Sequence, residues 1–418
     1  MSASVAIVGA GPSGCFVAQA LLKAAPDLRL DLIDALPVPY GLVRYGVAAD
    51  HQGTKAVIRQ FERLFERQGA GFVGNLAVGR DLPLERLRAC YDVVVLAAGL
   101  AGDRRLGIPG DDLAGIAGSG AVTRALNDHP DAGPLPELGP DVVIVGNGNV
   151  ALDLLRLLVK TPEDLAGSDL GPVASRWLAE SGVKRITVLG RSPAAAARFD
   201  PAMIRELGRA GGACFRVEAA GSAGDPQGQK VIEALAEIDG AGSGARRVTF
   251  RFGCTPVAVE GQGRVRALRV REAGGAIVDL PCDLLLTAIG FEDDGTLGRA
   301  ALLAGAAEPE AGVLAPGLYA TGWFRRGPRG TIPENRADAQ ALAARILADL
   351  PSLPGGKPGR AGLPEGGARI DHAGWQRIDA AERANCPPDR CRVKIATRAE
   401  MLALASGTGA EGSKETTS

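Results

Sequence analysis

Gly9-Ala10-Gly11-Pro12-Ser13-Gly14 and Gly146-Asn147-Gly148-Asn149-Val150-Ala151 repeat one spacing of small residues at two distant places in a chain of 418 residues. In such a spacing the first glycine permits a tight turn. The second lets the backbone approach a pyrophosphate, and a small third residue, Gly14 or Ala151, keeps a helix close to a strand. The phosphates then rest on the N–H groups and partial positive charge of a helix N-terminus. Each unit of this kind binds one dinucleotide, so two units imply two bound cofactors with electrons passing between them.

The flanking elements turn a glycine pattern into a site. A strand over Ser4–Val8 precedes the first pattern and a helix over Cys15–Lys23 follows it; Asp141–Val145 and Leu152–Lys160 do the same for the second. The next strand of the first unit, Leu30–Asp34, ends in an acid about 20 residues past the glycines, where a carboxylate hydrogen-bonds a ribose 2′-hydroxyl. Asp34 would repel a 2′-phosphate, which selects FAD or NAD. The matching strand of the second unit, Lys184–Leu189, ends in Gly190-Arg191, a cation suited to a 2′-phosphate and hence to NADP. Further strands are expected at 71–73, 92–96, 284–290 and 318–323, with a helix at 337–350. Residues 247–252 and 264–271 read as an antiparallel stretch, and 219–246, rich in Gly, Ser and Ala, includes a loop.

Composition narrows the function classes. Hydrophobic residues are 46%, charged residues 23%, and the net charge is −1, so nothing favours nucleic acid or a membrane surface. No apolar run reaches membrane-spanning length. With Val5 already beginning a strand, no leader is read and a cytoplasmic location is expected. The seven cysteines form no disulfide framework; Cys15 and Cys282 lie in apolar contexts and are expected to be buried and inert. Cys386 and Cys391 form a C-x4-C pair with no histidine nearby, so no metal site is expected.

Beyond the two glycine patterns, the chain carries Pro39-Tyr40-Gly41-Leu42-Val43-Arg44-Tyr45-Gly46-Val47-Ala48, Asp50-His51, Gly74-Asn75 through Val78-Gly79, and Gly322-Trp323-Phe324-Arg325-Arg326-Gly327-Pro328 with Gly330. In its tail stand Trp375, Ile378-Asp379 and Arg392-Val393-Lys394. With these motifs, over nearly its whole length, the chain resembles the adrenodoxin-reductase-like ferredoxin–NADP+ reductases, a branch of the glutathione-reductase-type flavoproteins. The resemblance implies an α/β fold of two Rossmann-like dinucleotide-binding domains, with the NAD(P) domain inserted into a discontinuous FAD domain. Residues 1–107 and 310–418 would form the FAD domain and 108–309 the NAD(P) domain.

By the same resemblance FAD would contact Gly9, Gly11, Ser13, Gly14, Asp34, Leu42 and Val78, with Trp323, Gly330, Thr331 and Ile332 returning from the far end. NADP, or NAD in its place, would lie on Gly146, Asn147, Gly148, Asn149 and Val150, with Arg191 and Ser192 at the 2′-phosphate. Electrons would enter as a hydride to the flavin and leave singly to a ferredoxin or other small iron–sulfur protein, with a cytochrome P450 as a further destination. A monomer is expected. The family's Asp-His pair lies near the flavin edge, so His51 is a candidate catalytic residue, with a structural loop hydrogen bond as its alternative. Glu206 matches a carboxylate near the nicotinamide and is otherwise a solvated helix charge.

The chain also departs from its family. Ser192 replaces the second of two adjacent arginines, Met203 stands where a cofactor-contacting glutamate is usual, and Pro333-Glu334 replaces small residues beside the flavin. Arg198 could supply the missing charge, although the sequence does not set its direction. The basic helical segment that docks acidic partners is shortened to 219–246, leaving Arg205, Arg209, Arg246, Arg247, Arg325, Arg326 and Arg329 as candidates. These departures keep two alternatives in view: a flavin-binding regulator with little turnover, and an NAD(P)H-oxidising flavoprotein with another acceptor. A dithiol–disulfide reductase lacks its C-x-x-C here, and a glutamate-synthase-like electron-input subunit lacks its cysteine-rich N-terminal segment.

Overall fold

Short runs of Val, Ile and Leu closed by glycine turns build two parallel sheets. The computed structural model describes residues 2–218, 221–384 and 386–407. In chain order the strands are β1 (Ser4–Val8), β2 (Arg29–Ile33), β3 (Gly71–Val73), β4 (Val93–Leu96), β5 (Gly102–Asp103), β6 (Ile116–Gly118), β7 (Asp141–Val145), β8 (Arg185–Gly190) and β9 (Ala213–Glu218). They continue as β10 (Arg246–Phe252), β11 (Thr255–Gly261), β12 (Val265–Arg271), β13 (Ile277–Pro281), β14 (Leu284–Thr287), β15 (Phe291–Glu292), β16 (Val313–Ala315) and β17 (Leu318–Ala320).

The first sheet has the order β16-β17-β4-β1-β2-β3 and the second β6-β14-β7-β8-β10-β9. Apart from the β16–β17 hairpin, every pairing in them is parallel. In both sheets the strand before a glycine pattern is central. It has the next strand, β2 or β8, on one side and a later strand, β4 or β14, on the other. That is the topological switch point at which open α/β sheets bind ligands.

The strand period of two distributes the core. In β1, Val5 and Ile7 face one side and pack with helices Pro12–Ala24, Ile58–Arg67, Ile332–Asp349 and His372–Ala384; Ala6 and Val8 face the other. In β7, Val142 and Ile144 face the helical layer, while Val143 and Val145 meet the antiparallel sheet β11-β12-β13. Full burial of a Val or Ile side chain is worth about 1.5–3 kcal/mol. Such burial, repeated over both sheets, offsets the conformational freedom that glycine loses on folding, so this core can carry glycine-rich loops.

Two sequence expectations need correcting: the strand expected at 318–323 ends at Ala320, with Gly322 and Trp323 in the short helix Gly322–Arg326, and the sense of β10 differs. Residues 246–252 are not antiparallel: β10 lies parallel between β8 and β9, and only 265–271 pairs antiparallel, with β11 and β13. Alternating burial marks a half-buried strand of either sense, so the pattern could not decide direction. The 219–246 stretch holds a helix, Pro226–Ile238, capped by Asp225, whose carboxylate accepts from the Gln227 and Gly228 N–H groups. Proline in its first turn is a helix start rather than a loop signal.

The tail returns across both sheets. Glu382, fully buried, accepts from Arg44 at 2.5 Å and from Arg392 at 2.6 Å. Asp169 sits between Lys55 (2.7 Å) and Lys394 (2.9 Å). Gly167 donates its N–H to the Asp389 carbonyl at 2.8 Å. Cys15 and Cys282 are buried, and burial pushes both thiols up, that of Cys282 to about 12. Among the described residues no helix is long and apolar enough to cross a membrane.

Candidate dinucleotide and redox site

The first cradle forms where β1 turns into helix Pro12–Ala24. Gly9 has φ +108°, and a Cβ there would lie 2.5 Å from the Ala97 carbonyl oxygen at the end of β4. A Cβ on Gly14 would lie 2.0 Å from the Gly9 oxygen, so helix and strand meet backbone to backbone. Gly11 differs, because its Cβ would meet only the Gly41 Cα at 3.9 Å and otherwise face open space. Asp34 turns back onto this loop, accepting from Ala10 N–H at 2.8 Å and Leu36 N–H at 2.9 Å. Burial pushes its carboxyl up to about 6, against those two hydrogen bonds and the charge of Arg398. Each oxygen retains further acceptor capacity for a hydroxyl.

Around this cradle Val78 is buried, while Leu42 is 38% exposed. Gly322 closes the far side: a Cβ there would clash with Ser13 Oγ at 2.2 Å. Trp323 stacks on Phe291 at 5.4 Å, and its Nε1 is buried with no partner. Gly330 has φ +93°, which a side chain would strain. Thr331 then caps helix Ile332–Asp349 in a capping box, its N–H donating to Glu334 Oε2 at 2.5 Å. The Thr331-x-x-Glu334 spacing was readable as that motif. It gives Glu334 a structural task.

The second cradle repeats the first. Gly146 has φ +137°, and a Cβ there would stand 2.2 Å from the Ala288 carbonyl oxygen just beyond β14. A Cβ on Gly148, the N-cap of helix Asn149–Val159, would meet nothing within 4 Å. Asn149 Oδ1 accepts from Asp200 N–H at 2.8 Å. Val150 follows in the first turn of the helix, and Ala151 is fully buried. The Nδ2 of Asn147 is buried without a partner. Arg191 is exposed at the end of β8, with Ser192 half-buried beside it. The protein leaves orphaned donors and open glycine faces in both cradles, the features a bound pyrophosphate and base would complete.

A polar cluster joins the two units. His51 Nε2 lies 3.3 Å from Glu206 Oε2, and its Nδ1 lies 3.6 Å from Asp153 Oδ1. Arg156 donates Nε and Nη2 to Asp50 at 2.8 and 2.9 Å, and Lys160 donates to Asp50 at 2.7 Å. Burial penalises the Asp50 charge, but these two cations outweigh it and hold the carboxyl well below its ordinary range. Burial raises that of Asp153, opposed by Arg156 and His51. The structure thus brings the two candidates His51 and Glu206 together, and adds Arg156, Lys160 and Asp153, which sequence reasoning had not assigned to a site. Only the Asp153–Arg156 spacing, i to i+3 on one helix, was a local signal. Asp50, His51 and Glu206 can bring ligand atoms within 4.8 Å of one another. Arg156 and Lys160 already occupy Asp50, so a metal ion would meet two positive charges there.

Met203 is half-buried against the second core, which accounts for an apolar residue at that position. Of the basic docking candidates, Arg205 pairs with Glu237, and Arg325 and Arg326 pair with Asp338.

No family model matches the chain. The chain is 43% identical over 419 residues to the cindoxin reductase of Citrobacter braakii, covering 96% of this chain and 91% of that protein. It is 31% identical over 459 residues to the mitochondrial NADPH:adrenodoxin oxidoreductase of Arabidopsis thaliana, covering 96% and 95%. The solved structure of Mycobacterium tuberculosis FprA in complex with NADPH is similar with a TM-score of 0.87 at 30% identity, covering 97% of this chain and 100% of that one.

Proposed function

Because this chain belongs to the adrenodoxin-reductase-like ferredoxin–NADP+ reductases, we propose that it carries electrons from NADPH through FAD to a small iron–sulfur protein. The observation that carries this reading is the pair of switch-point cradles with opposite ends, a carboxylate at Asp34 and a cation at Arg191. FAD held in the first cradle would supply the chemistry, two-electron exchange with a nicotinamide and one-electron release to an acceptor. The chain's own residues bind and orient. Gly9, Gly11, Ser13 and Gly14 would hold the pyrophosphate, Asp34 a ribose and Val78 the base, while Leu42, Trp323 and Gly330 to Ile332 would enclose the ring system.

Gly146, Asn147, Gly148, Asn149 and Val150 would hold the second pyrophosphate, with Arg191 and Ser192 at the 2′-phosphate. His51 would work at the flavin edge from a place between two carboxylates, with Glu206 Oε2 3.3 Å from its Nε2 and Asp153 Oδ1 3.6 Å from its Nδ1. The domain division at residues 107/108 and 309/310 belongs to the same reading, supported by a first sheet that takes β16 and β17 from the far end of the chain. From the resemblance we also propose a cytochrome P450 as a further destination and a monomeric state, and from the sequence a cytoplasmic location.

The test is purification with its spectrum, followed by NADPH-driven reduction of a ferredoxin monitored through cytochrome c. A flavin spectrum and ferredoxin-dependent cytochrome reduction are expected. Bound flavin without turnover on any acceptor, ferricyanide included, would favour the regulator alternative instead.

A further inference from the structure

Ser192 leaves Arg191 as the one cation directly at the end of β8, yet the loop beyond it brings back a second. Pro193 and the turn Ala194–Ala196 fold the chain tightly, with Ala196 N–H donating to Pro193 O and Ala197 N–H to Ala194 O, both at 3.0 Å. The loop then returns to the glycine pattern it left. Arg198 donates its N–H to the Asn147 carbonyl at 2.9 Å and forms a parallel bridge with Gly148.

Asn147 also marks where the loop departs, because a Cβ on Gly190 would stand 2.8 Å from Asn147 Nδ2. Both ends of the loop therefore touch one residue, and that residue's Nδ2 is buried and unpartnered. Phe199 is 3% exposed and anchors the segment in the core. Neighbours in an extended segment point to opposite sides, so Arg198 faces outward, and it is exposed. Among the described residues neither Arg191 nor Arg198 has an ion-pair or side-chain hydrogen-bond partner, whereas Arg205, a few residues on, is held by Glu237.

We infer that Arg198 is the second guanidinium of the nucleotide 2′-phosphate site, reaching it from the segment that bridges Gly148 while Arg191 reaches it from the end of β8. Two planar guanidiniums approaching from different backbone segments can each offer paired N–H donors to separate phosphate oxygens. A serine at 192 then supplies one neutral hydrogen bond, and the charge lost there returns at 198. The inference rests on the NADPH reading above and assigns its selectivity to a residue outside the motif.

The experiment compares NADP+ and NAD+ binding by calorimetry to the purified flavin-loaded protein, its R191A, R198A and R198K variants, and the double variant R198A/S192R. Loss of a charge-assisted phosphate contact should weaken NADP+ binding by R198A roughly tenfold or more. NAD+ should shift less than twofold. R198K should fall between wild type and R198A, since it keeps the charge and loses the fork. R198A/S192R should recover most of the NADP+ affinity, which a merely structural loss could not do. Retained NADP+ preference in R198A, or equal loss of both nucleotides, overturns the inference while leaving the NADPH reading in place. A wild-type protein that binds NADP+ no better than NAD+ overturns both.

Discussion

Gly146 and Gly148 stand two residues apart, yet the protein constrains only the first. At Gly146 a side chain would need φ +137° and would enter the Ala288 carbonyl, so G146A should destabilise by more than the about 1–3 kcal/mol of backbone strain alone. Gly148 has φ −113° and open space before it. There alanine has room, and the entropy it removes from the unfolded chain offsets its poorer fit at an N-cap, so the cofactor-free protein should change by less than about 1 kcal/mol, while NADP+ binding falls. Urea unfolding and nucleotide titration of both variants check this; undiminished binding by G148A would show that no ligand backbone approaches there. At this scale the turns at Gly9 and Gly146 and the places of Asp34 and Arg191 just past β2 and β8 were legible because each has a local spacing. The contacts of His51 with Glu206 and of Arg156 with Asp50 were not, because they span 155 and 106 residues and no periodicity records such pairings.

Helix Ile332–Asp349 begins with a proline in its first turn and a capping box, and it packs along helix Pro12–Ala24 of the first cradle. T331A removes the Thr331 hydroxyl that accepts from the third helical N–H. It should cost about 1 kcal/mol in urea unfolding of the cofactor-free protein. A smaller loss than a few tenths would mean that the helix start is held by packing alone. What the sequence presents at 331–334 as a departure from the family is thus a local solution to starting a helix. The element types of both Rossmann units follow from their apolar runs and glycine turns. The sense of β10 and the helix at Pro226–Ile238 do not, since half-buried strands alternate alike in either direction and Gly- and Ala-rich composition obscured the Asp225-Pro226 start.

Three parts of the molecule meet at Lys55. Its ammonium donates to Asp169 of the second unit and Asn127, and reaches the Arg44 carbonyl of the first, while Lys394 of the tail approaches the same Asp169. Burial and the Lys394 charge bring Lys55 down to about 7, against the attraction of Asp169. Below that pH both folded and unfolded states hold the proton, and the cost of burying it is fully present. Between pH 7 and the ordinary lysine value near 10.4 the unfolded state binds more protons, so this group's contribution to stability rises with pH. The stability of the wild type relative to K55M should therefore grow between pH 7 and 9, by up to about 1.4 kcal/mol per unit. A difference flat with pH would mean that Lys55 keeps an ordinary ammonium.

The way β16, β17 and the tail return to the first sheet also sets an order of assembly. The second sheet is contiguous from Ile116 to Thr287 and can fold while the ribosome is still making the C-terminal third of the chain. The first sheet waits for Leu318–Ala320 to pair with β4, and the hub at Asp169 waits for Lys394. A nascent chain halted before residue 318 would therefore carry a complete second sheet beside a first sheet still lacking the strand that pairs with β4, and a cofactor that needs the first sheet closed would load late.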